Sequence, residues 1–428
     1  MGQPTTAVPL RLLPETATVG QHGELHIGGC SVTELAGTYG TPLFIYDEQH
    51  LRNRCREAVD AFGYQNVVYA TKAFLCKAMA KLAYDEGMLL DVATGGELHV
   101  AMAAGVPADA CTMHGNNKNL AELRLALTVG VRQVVVDSFD EMDRLDALHA
   151  EGLPVPNVVL RVTPGVHAHT HEFIATGQDD SKFGFNLGNG DAMVAVDRAR
   201  RATSMDLVGL HCHIGSNVFA AANFAKAAEV MAKFAVPLDL PELVLGGGLG
   251  VAYTVGEEAP TITQWGSVLL DACGALGVRS RISVEPGRSI VAQAAVTLYT
   301  VGTIKPIPGI RTYVAVDGGM SDNPRPVLYG SGYEAFLPRD VAAERTASVR
   351  LVGKHCESGD VLINDAQIPD DVRVGDILAT PVTGAYGHSM GSNYNKVTRP
   401  PIVFVGDGEA RLVVRRETFD DLLACDLG

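Results

Sequence analysis

Three features of this chain could do chemistry together: a lysine, a glycine run and a glutamate, each at the end of an apolar segment. Lys72 lies in the segment YATKAFL, an apolar setting in which a partly desolvated lysine can supply the neutral amine that a Schiff base needs. In the run Gly246–Gly250, backbone amides could approach a phosphate closely. Glu285 could keep the nitrogen of a pyridine ring protonated. An amine, a phosphate cradle and a carboxylate are what pyridoxal phosphate requires.

Each of these residues also has an ordinary structural interpretation. A lone lysine is usually a solvated surface charge, the GGGLG run alone could be a tight turn, and Glu285 could form a salt bridge with Arg288. His213 could stack on a cofactor ring, or it could be a core histidine satisfied by the backbone. In the segment His211-Cys-His, the alternation of a strand sends both imidazoles to the same face, into the mouth or the core of the fold.

Three histidines alternate in the segment HAHTH (167–171), and Glu172 follows them. Such spacing could hold a metal ion, but the segment lies in a predicted loop without strand pairing. We therefore favour a loop beside the substrate and predict no metal site. The whole loop, Pro164–Phe185, shows no clear helical pattern, and a loop of that size inside a compact domain is usually functional.

The elements that must position these residues repeat between about Asn66 and Arg288. In each repeat a short, β-rich apolar run ends in glycine or polar residues, and a helical pattern follows. The predicted strands are Val67–Thr71, Met88–Ala93, Ala110–His114, Gln133–Asp137, Asn157–Thr163, Leu207–Ile214, Glu242–Gly246 and Arg281–Glu285. The predicted helices are Ala73–Asp85, Glu97–Ala104, Leu120–Val129, Asp140–Ala150, Gly190–Ala202, Ala221–Phe234 and Ile262–Leu276. Parallel strands that are apolar at nearly every position and alternate with helices predict a (β/α)8 TIM barrel.

Polar residues end most of the predicted strands. In barrel enzymes the chemistry lies at the carboxyl ends of the strands, and a purely structural barrel would not place polar groups at so many of them. The strand-end residues are Lys72, Asp91, His114, Asn116, Arg161, Thr163, His211, His213, Ser216, Gly246–Gly250, Glu285 and Arg288. The glycine run follows the seventh strand, where barrels usually bind phosphate, so its position favours the phosphate interpretation.

A separate all-β domain is predicted after the barrel. The predicted strands, which follow one another without helices, are Val291–Val301, Thr312–Val316, Ser348–Val352, Asp376–Pro381, Ile402–Val405 and Arg411–Arg415. The tripeptide Gly406-Asp407-Gly408 predicts a hairpin turn. The first forty-odd residues also look β-like and do not fit the barrel repeat. We therefore predict a barrel domain at 47–305 and a β-sandwich or barrel-like domain built from 1–46 and 306–428.

Composition narrows the classes of partner and compartment. Asp and Glu outnumber Lys and Arg by 49 to 34, and the net charge of −15 disfavours nucleic acid and anionic membranes as partners. None of the eight cysteines falls in a CxxC pair, so reduced thiols are expected rather than disulfides or a zinc site. The segment from Met1 to Gly20 has no signal-peptide pattern, and no segment is long and apolar enough to span a membrane. These features predict a cytoplasmic protein.

Ordered motifs run along most of the chain and carry a resemblance to a known family. They are YATKAF (69–74), DVATGGEL (91–98), HGNNK (114–118), THEFIATG (170–177), KFGF (182–185), GLHCHIGS (209–216), GGGLG (246–250), EPGR (285–288), DGGMSDNPRPVLY (317–329), KHCESGD (354–360) and GAYGHSMGSNYN (384–395). From about Thr41 to the C-terminus the chain resembles meso-diaminopimelate decarboxylases, most of all the actinobacterial ones, within the alanine-racemase-like group of pyridoxal-phosphate enzymes. The HCESGD and NPRPVLY motifs favour this branch over ornithine and arginine decarboxylases. At one position the chain departs from many members, which have Cys after the GAY tripeptide where this chain has Gly387.

The resemblance implies a reaction and a role for each matching residue. The reaction is the decarboxylation of meso-2,6-diaminopimelate to L-lysine and CO2, the last step of lysine biosynthesis. The implied catalytic residues are Lys72 as the Schiff-base lysine, His213 stacked on the ring, Glu285 at the pyridinium nitrogen and Cys356 as the proton donor to the decarboxylated carbon. The implied phosphate ligands are Ser216, Gly247, Gly248 and Tyr386, and further implied cofactor contacts are Asp91 and Gly287. The implied substrate-binding residues are Arg288, Arg325 and Tyr329 for the distal carboxylate, Glu357 for the distal ammonium, and Tyr386.

The resemblance also implies an assembly and leaves rival activities open. In the family, Cys356 and Glu357 would reach the site from the partner subunit, which implies a homodimer with shared active sites. An amino-acid racemase or a decarboxylase of another diamino acid is an alternative. Glu285 favours decarboxylation, because racemases of this fold place Arg at the ring nitrogen, which weakens the electron sink. A non-enzymatic pyridoxal-phosphate carrier would lack the second domain, and a paralogue acting on a modified diamino acid also stays open.

Overall fold

The computed structural model describes residues 7–166 and 179–428, which form two compact units. One, here called the barrel unit, comprises Arg54–Gly250 and Ala259–Ser289, and the other, here called the β unit, comprises the residues up to Asn53, Val251–Glu258 and Ile290–Gly428. The units end at other residues than the predicted domains, since the segments 47–53 and 290–305 belong to the β unit. As domain limits, 47–305 for the barrel and 1–46 with 306–428 for the second domain stay a prediction.

The barrel unit contains all the predicted parallel strands. In chain order they are Val68–Ala70 (β1), Leu89–Val92 (β2), Cys111–Met113 (β3), Gln133–Val136 (β4), Asn157–Thr163 (β5), Asp206–His211 (β6), Glu242–Val244 (β7) and Arg281–Ser283 (β8). Each pairs in parallel with the next in the sequence. Val135, Val159 and Val244 pack together as a buried cluster inside this sheet. Burial on both faces explains why these strands are apolar throughout.

Hydrogen bonds between the first and last strands close the sheet into a ring. Val67 and Val284 form a parallel bridge, the amide of Val68 donates to the carbonyl of Val284 at 2.8 Å, and the amide of Val284 donates to Asn66 at 2.9 Å. The predicted (β/α)8 barrel is therefore confirmed. Most strands are shorter than predicted, because the polar residues at their carboxyl ends lie in the loops that follow.

Helices connect the strands as predicted. They are Lys77–Asp85, Gly95–Ala103, Leu120–Val129, Phe139–Ala150, Asp191–Arg201, Ala221–Ala235 and Ile262–Ala275. The sequence sets several of their ends. Asn119 and Glu122 form a reciprocal capping box before Leu120–Val129, and Gly130 ends that helix with a φ of 74°.

The loop after β5 is described in part. The segment HAHTH (167–171), Glu172 and the THEFIATG motif (170–177) lie outside the described residues. Beyond them, Phe185–Asn186 adds a short parallel strand to β5, and the amide of Gly184 donates to Asp137 Oδ1 at 2.8 Å. The end of the loop is thus attached to the carboxyl ends of β4 and β5.

The β unit is built around one mixed sheet. Its strands, in spatial order, are Val361–Ile368, Ala347–Val352, Arg311–Val316, Ala295–Ile307, Leu43–Asp47, Ile402–Gly406 and Glu409–Val414, with Ile377–Pro381 also paired to Ala295–Ile307. A three-stranded sheet of Thr18–Val19, Leu25–Ile27 and Cys30–Ser31 precedes it. The predicted hairpin turn is confirmed, since Asp407 and Gly408 have φ values of 53° and 79° between two antiparallel strands.

Several predictions for this unit were wrong. The strand predicted from Val291 begins at Ala295, because residues 288–291 form a short helix. The strand Val361–Ile368 was missed, because polar residues interrupt its apolar alternation (VLINDAQI). The strands are also not free of helices, since Arg325–Tyr329 is helical, and the N-terminal segment contains the helix Val32–Tyr39.

Two further observations concern cysteines and membranes. All eight cysteines are free thiols, and Cys356 and Cys425 are the exposed ones. Among the residues described, none of the helices combines the length and the apolar character that crossing a bilayer would require.

Candidate active site

Lys72 lies at the mouth of the barrel, in a single helical turn that directly follows β1. Its neighbours Thr71 and Ala73 are buried, and the hydroxyl of Thr71 donates to the carbonyl of Asp91 at 2.7 Å, which ties the turn to β2. Lys72 itself is exposed, so the predicted desolvation of its amine is wrong for this conformation. Its positive charge nevertheless acts on two neighbours: after burial it is the next cause that lowers the pKa of His213, and it partly opposes the rise that burial produces in the pKa of Asp91. The amine therefore lies near the residues predicted to share its site.

Glu285 is held by two histidines at the centre of the mouth. His211 Nε2 lies 2.9 Å from Glu285 Oε2 in a hydrogen bond, and His114 Nε2 lies 2.9 Å from Oε1 in an ion pair. The three side chains are 1–7% exposed. The alternative of a simple salt bridge from Glu285 to Arg288 therefore does not describe this carboxylate, whose two oxygens each face an imidazole.

Electrostatics keeps Glu285 ionised despite its burial. Burial alone would raise its pKa, but His114 and His211 outweigh burial and hold the pKa of Glu285 well below its usual value. Burial also acts to lower the pKa of His114, yet Asp91 and Glu285 together raise it. Burial dominates at His211 and lowers its pKa. The shifts therefore favour the ionised form of Glu285, the charged form of His114 and the neutral form of His211.

His213 contacts the glycine run. The amide of Gly247 donates to His213 Nδ1 at 3.2 Å, so this nitrogen carries no proton and the imidazole is neutral. Burial, followed by the charges of Lys72 and Arg161, holds the pKa of His213 well below its usual value. A neutral ring at this place suits stacking on an aromatic cofactor. His211 and His213 both lie at the mouth, as their alternation along the strand predicted.

The glycines of GGGLG are required by close backbone packing. A Cβ on Gly247 would lie 2.1 Å from the carbonyl oxygen of Glu285, and a Cβ on Gly248 would lie 2.1 Å from that of Gly215. Gly246 and Gly248 also have φ values of 61° and 103°. The run is thus a narrow turn packed against the ends of β6 and β8. It is a tight turn, as one interpretation had it, and its place at the mouth is also compatible with a phosphate site.

The EPGR motif continues this surface. Arg288 Nη2 donates to the hydroxyl of Ser216 at 2.9 Å, and Arg288 is buried. Gly287 lets the motif lie against the end of β1, since a Cβ there would lie 3.0 Å from Ala70. The structure therefore brings together Ser216, the glycine run and Arg288, all of which the sequence predicted as site residues.

Several buried charges that support the mouth were not predicted as site residues. Arg161 lies with its guanidinium 4.2 Å from the ring centre of Phe183, and its Nη1 is 3.7 Å from Asp137 Oδ2. Lys118 Nζ pairs with Glu141 Oε1 at 2.8 Å, and both are almost wholly buried. Arg161 had been noted as a polar residue at a strand end, and Lys118 is part of the HGNNK motif. Neither observation distinguishes a charged residue that supports the site from one that acts in catalysis.

The β unit holds the remaining predicted residues. Arg325 is 3% exposed and begins the helix that Tyr329 ends. Its guanidinium lies 4.1 Å from the ring centre of Tyr253, and its Nη1 donates to the hydroxyl of Tyr333. Tyr253 and Tyr333 were missed, because no motif marks them.

The HCESGD segment exposes its four middle residues and buries its two ends, His355 and Asp360. Cys356 and Glu357 are exposed. His355 is buried beside Ser321 Oγ at 2.8 Å, and the Cys356 amide donates to Asn395 Oδ1 at 2.9 Å. The segment is thus fixed at its base with its thiol and carboxylate accessible.

Tyr386 lies in a turn with unusual backbone geometry. Its φ is 62° and that of Val382 is 60°, a region that side-chain-bearing residues, and β-branched ones above all, rarely occupy. Such geometry clusters at functional sites. Gly387 follows in a tight place, since a Cβ there would lie 3.2 Å from Phe44 and from the carbonyl of Thr383. A Cys at this position would require those neighbours to move.

Within the barrel unit, the residues present fit pyridoxal phosphate. An accessible amine, an ionised buried carboxylate, a neutral imidazole and a glycine turn beside Ser216 and Arg288 are the groups that this cofactor needs. Residues 48–292 match the model of a protein family, the "Pyridoxal-dependent decarboxylase, pyridoxal binding domain".

Full-length relatives define the family more closely. The chain is 45% identical to diaminopimelate decarboxylase of Mycobacterium tuberculosis over 97% of both chains, and 46% identical to that of Bacillus subtilis over 96% of this chain and 97% of the other. The chain belongs to the diaminopimelate decarboxylases. It is accordingly a pyridoxal-phosphate-dependent carboxy-lyase, as its motifs predicted.

Solved structures agree. The crystal structure of a diaminopimelate decarboxylase from M. jannaschii in complex with L-lysine matches this chain with a TM-score of 0.89 and 31% identity, covering 97% of this chain and 98% of the other. The predicted family and fold class are confirmed.

Proposed function

We propose that this chain converts meso-2,6-diaminopimelate to L-lysine and CO2 at the mouth of its barrel, as the last step of lysine biosynthesis. The observation that carries the proposal is the ionised, buried carboxylate of Glu285 at the centre of that mouth. A full-length relationship to diaminopimelate decarboxylases supports the choice of substrate. The reaction needs a ring that accepts electrons beside an amine. A carboxylate next to the ring nitrogen would keep that nitrogen protonated and the ring electron-poor.

When bound, pyridoxal phosphate supplies the aldehyde that captures an amine and the ring that accepts the electrons left by CO2. In our proposal Lys72 would hold the cofactor through its aldehyde, His213 would cover one face of the ring, and Glu285 would keep a proton on the ring nitrogen. The remaining cofactor contacts are assigned to Asp91, Ser216, Gly247, Gly248, Gly287 and Tyr386. Because the Gly247 amide already donates to His213, we expect the Gly248 amide and the Ser216 hydroxyl to be the main hydrogen-bond donors to a phosphate among these residues.

The distal end of the substrate would be recognised by charge. We assign Arg288, Arg325 and Tyr329 to the distal carboxylate, and Glu357 to the distal ammonium, with Tyr386 nearby. Lysine and ornithine lack that carboxylate, so neither would bring a charged partner to the buried guanidinium groups. A site of this kind can reject such analogues by roughly 10⁴-fold or more.

Proton return and assembly complete the proposal. We assign Cys356 as the group that delivers a proton to the decarboxylated carbon. Its accessible place beside exposed Glu357 suits residues that serve a partner's site, so we propose a homodimer with shared active sites. We also propose that the enzyme works in the cytoplasm.

A substrate panel tests the function. CO2 release would be measured side by side on meso-diaminopimelate, L-lysine and L-ornithine, with the visible spectrum of the bound cofactor and a chiral assay for racemisation. We expect release from the first substrate alone. Release from lysine or ornithine at a comparable rate, or racemisation without CO2, would assign the chain to a rival activity.

A further inference from the structure

Glu285 and Asp91 are both buried carboxyl groups at the barrel mouth, but their pKa values shift in opposite directions. Asp91 lies 3.9 Å from His114 Nε2, and burial raises its pKa to about 6. Glu285 has an imidazole on each oxygen at 2.9 Å, and its pKa stays well below the usual value. Burial is thus able to push a carboxyl of this mouth towards its neutral form, and the two imidazoles are what prevents this at Glu285.

We propose that His114 and His211 are positioning residues that hold Glu285 ionised and in one orientation, so that it can keep a proton on the nitrogen of the cofactor ring. The inference deepens the proposed function, because it rests on the role of Glu285 given there. Neither imidazole needs to touch the substrate. Each acts through the carboxylate between them.

The two histidines do this in different ways. His211 is a neutral hydrogen-bond donor, because its Nδ1 is buried without a hydrogen-bond partner among the described residues, and an imidazolium would bury an unpaired N–H there. His114 is the cationic member, since it lies between Asp91 and Glu285. Its Nε2 forms an ion pair with Glu285 Oε1 at 2.9 Å, so His114 contributes a positive charge beside the carboxylate.

The barrel shape sets this arrangement. His114 follows β3, His211 ends β6, and Glu285 follows β8, so the three side chains converge from separate sides of the ring. Their ligand atoms lie within 4.8 Å of one another, a spacing that could also hold a metal ion. Direct contacts at 2.9 Å account for the cluster without an ion, and metal content is measured as part of the test.

The experiment compares substitutions that differ in reach or charge alone. In the holoenzyme, His211→Gln places an amide N–H near the position of Nε2, whereas His211→Asn, with the same group, falls short. We expect His211→Gln to stay near wild type. We expect His211→Asn, and His114→Gln, which lacks the charge, to lower kcat roughly 10- to 100-fold with little change in KM, as loss of a charged contact does. His99→Gln, on an exposed helix face, is the control.

The spectrum of the bound cofactor supplies the readout that a merely structural role would not move. In His211→Asn and His114→Gln, the pH at which the visible band changes should fall by about one unit or more, because a weaker negative charge releases the ring proton earlier. Thermal melting reports folding, and metal analysis of the wild type should show less than one equivalent of any transition metal. A stoichiometric metal, or a band and kcat in both His211→Asn and His114→Gln that match those of His99→Gln, would overturn the inference.

Glu285→Gln separates the two levels of the argument. If it leaves the pH titration of the band and the turnover unchanged, the proposed place of Glu285 fails. If Glu285→Gln impairs both while His211→Asn and His114→Gln do not, the role of the histidines alone fails.

Discussion

The guanidinium of Arg325 lies 4.1 Å from the ring centre of Tyr253, against the face of the aromatic ring. Tyr333 accepts a hydrogen bond from Nη1 of the same arginine, and the two tyrosine rings meet edge to face with centres 5.4 Å apart. Arg325 Nε is buried and lacks a hydrogen-bond partner in the described part of the chain. Cation–π contacts hold the cation while leaving N–H groups to donate, which is what recognition of a carboxylate requires.

Removal of this guanidinium should abolish recognition and spare the cofactor. In Arg325→Ala we expect kcat/KM for meso-diaminopimelate to fall roughly 100-fold or more, because charged hydrogen bonds of about 1.5–3 kcal/mol each are lost. The visible spectrum of the bound cofactor should not change. Arg339→Ala, which breaks a surface pair with Asp371, is the matched control. Normal turnover by Arg325→Ala would show that the distal site is elsewhere.

Loss of the Cys356 thiol should slow turnover without weakening substrate binding. In Cys356→Ala we expect a KM near that of the wild type and a kcat reduced roughly 10²-fold or more, the range in which acid–base groups contribute. Cys425→Ala removes the other exposed thiol and should have no effect. A Cys356→Ala enzyme with full kcat would remove the acid role of this residue.

Asp322 should make stability depend on pH. Burial raises its pKa to about 7, and Tyr299 and the amide of Gly319, which donate to it, only partly offset burial, while Asp360 and Asp317 add to the rise. The folded state therefore binds this proton more tightly than the unfolded state does. The stabilisation is complete below the unfolded pKa of about 3.9 and is lost as the pH rises through about 7.

The comparison with an uncharged residue isolates that group. Asp322→Asn cannot ionise, so its Tm relative to wild type should improve between pH 5 and pH 8. Melting curves of both proteins at matched ionic strength give this difference. A Tm difference that is constant across the range would mean that Asp322 does not titrate there.

A methyl group on Gly248 should disrupt the cofactor site. Its Cβ would lie 2.1 Å from the Gly215 carbonyl, and its φ of 103° strains any other residue. We expect Gly248→Ala to weaken cofactor binding roughly 10-fold or more, as a shift costing about 1–3 kcal/mol would. Gly274→Ala, in a helix where a Cβ meets nothing within 4 Å, should bind normally. Titration of the apoenzyme with cofactor measures both, and equal affinities would contradict the prediction.

The barrel and its strand-end residues could be predicted because each strand carries its own pattern. An apolar run followed by a polar residue is a local signal, and it placed Lys72, Asp91, His213 and Glu285 at one mouth. The partner of Glu285 was not predictable in this way. Arg288 is three residues away in sequence, but the contacts come from His114 and His211, which the curvature of the closed sheet brings to the carboxylate.

The burial of individual side chains could not be predicted from the sequence either. The apolar neighbours of Lys72 are buried as predicted, yet the lysine itself is exposed, because a turn after β1 carries it out of the strand. Tyr253 and Tyr333 are distant in sequence and belong to no motif, so only the folded β unit reveals that they flank Arg325.

The strand Leu43–Asp47 lies between Ala295–Ile307 and Ile402–Gly406 in the sheet of the β unit. During synthesis this early strand must wait for both neighbours until some 360 residues have followed it. A nascent or truncated chain thus presents an apolar strand with two open edges, which is the kind of surface that chaperones bind and aggregates share. Synthesis of the C-terminal strand Ile402–Gly406, rather than of the barrel, is therefore the step after which neither edge of this early strand has to stay open.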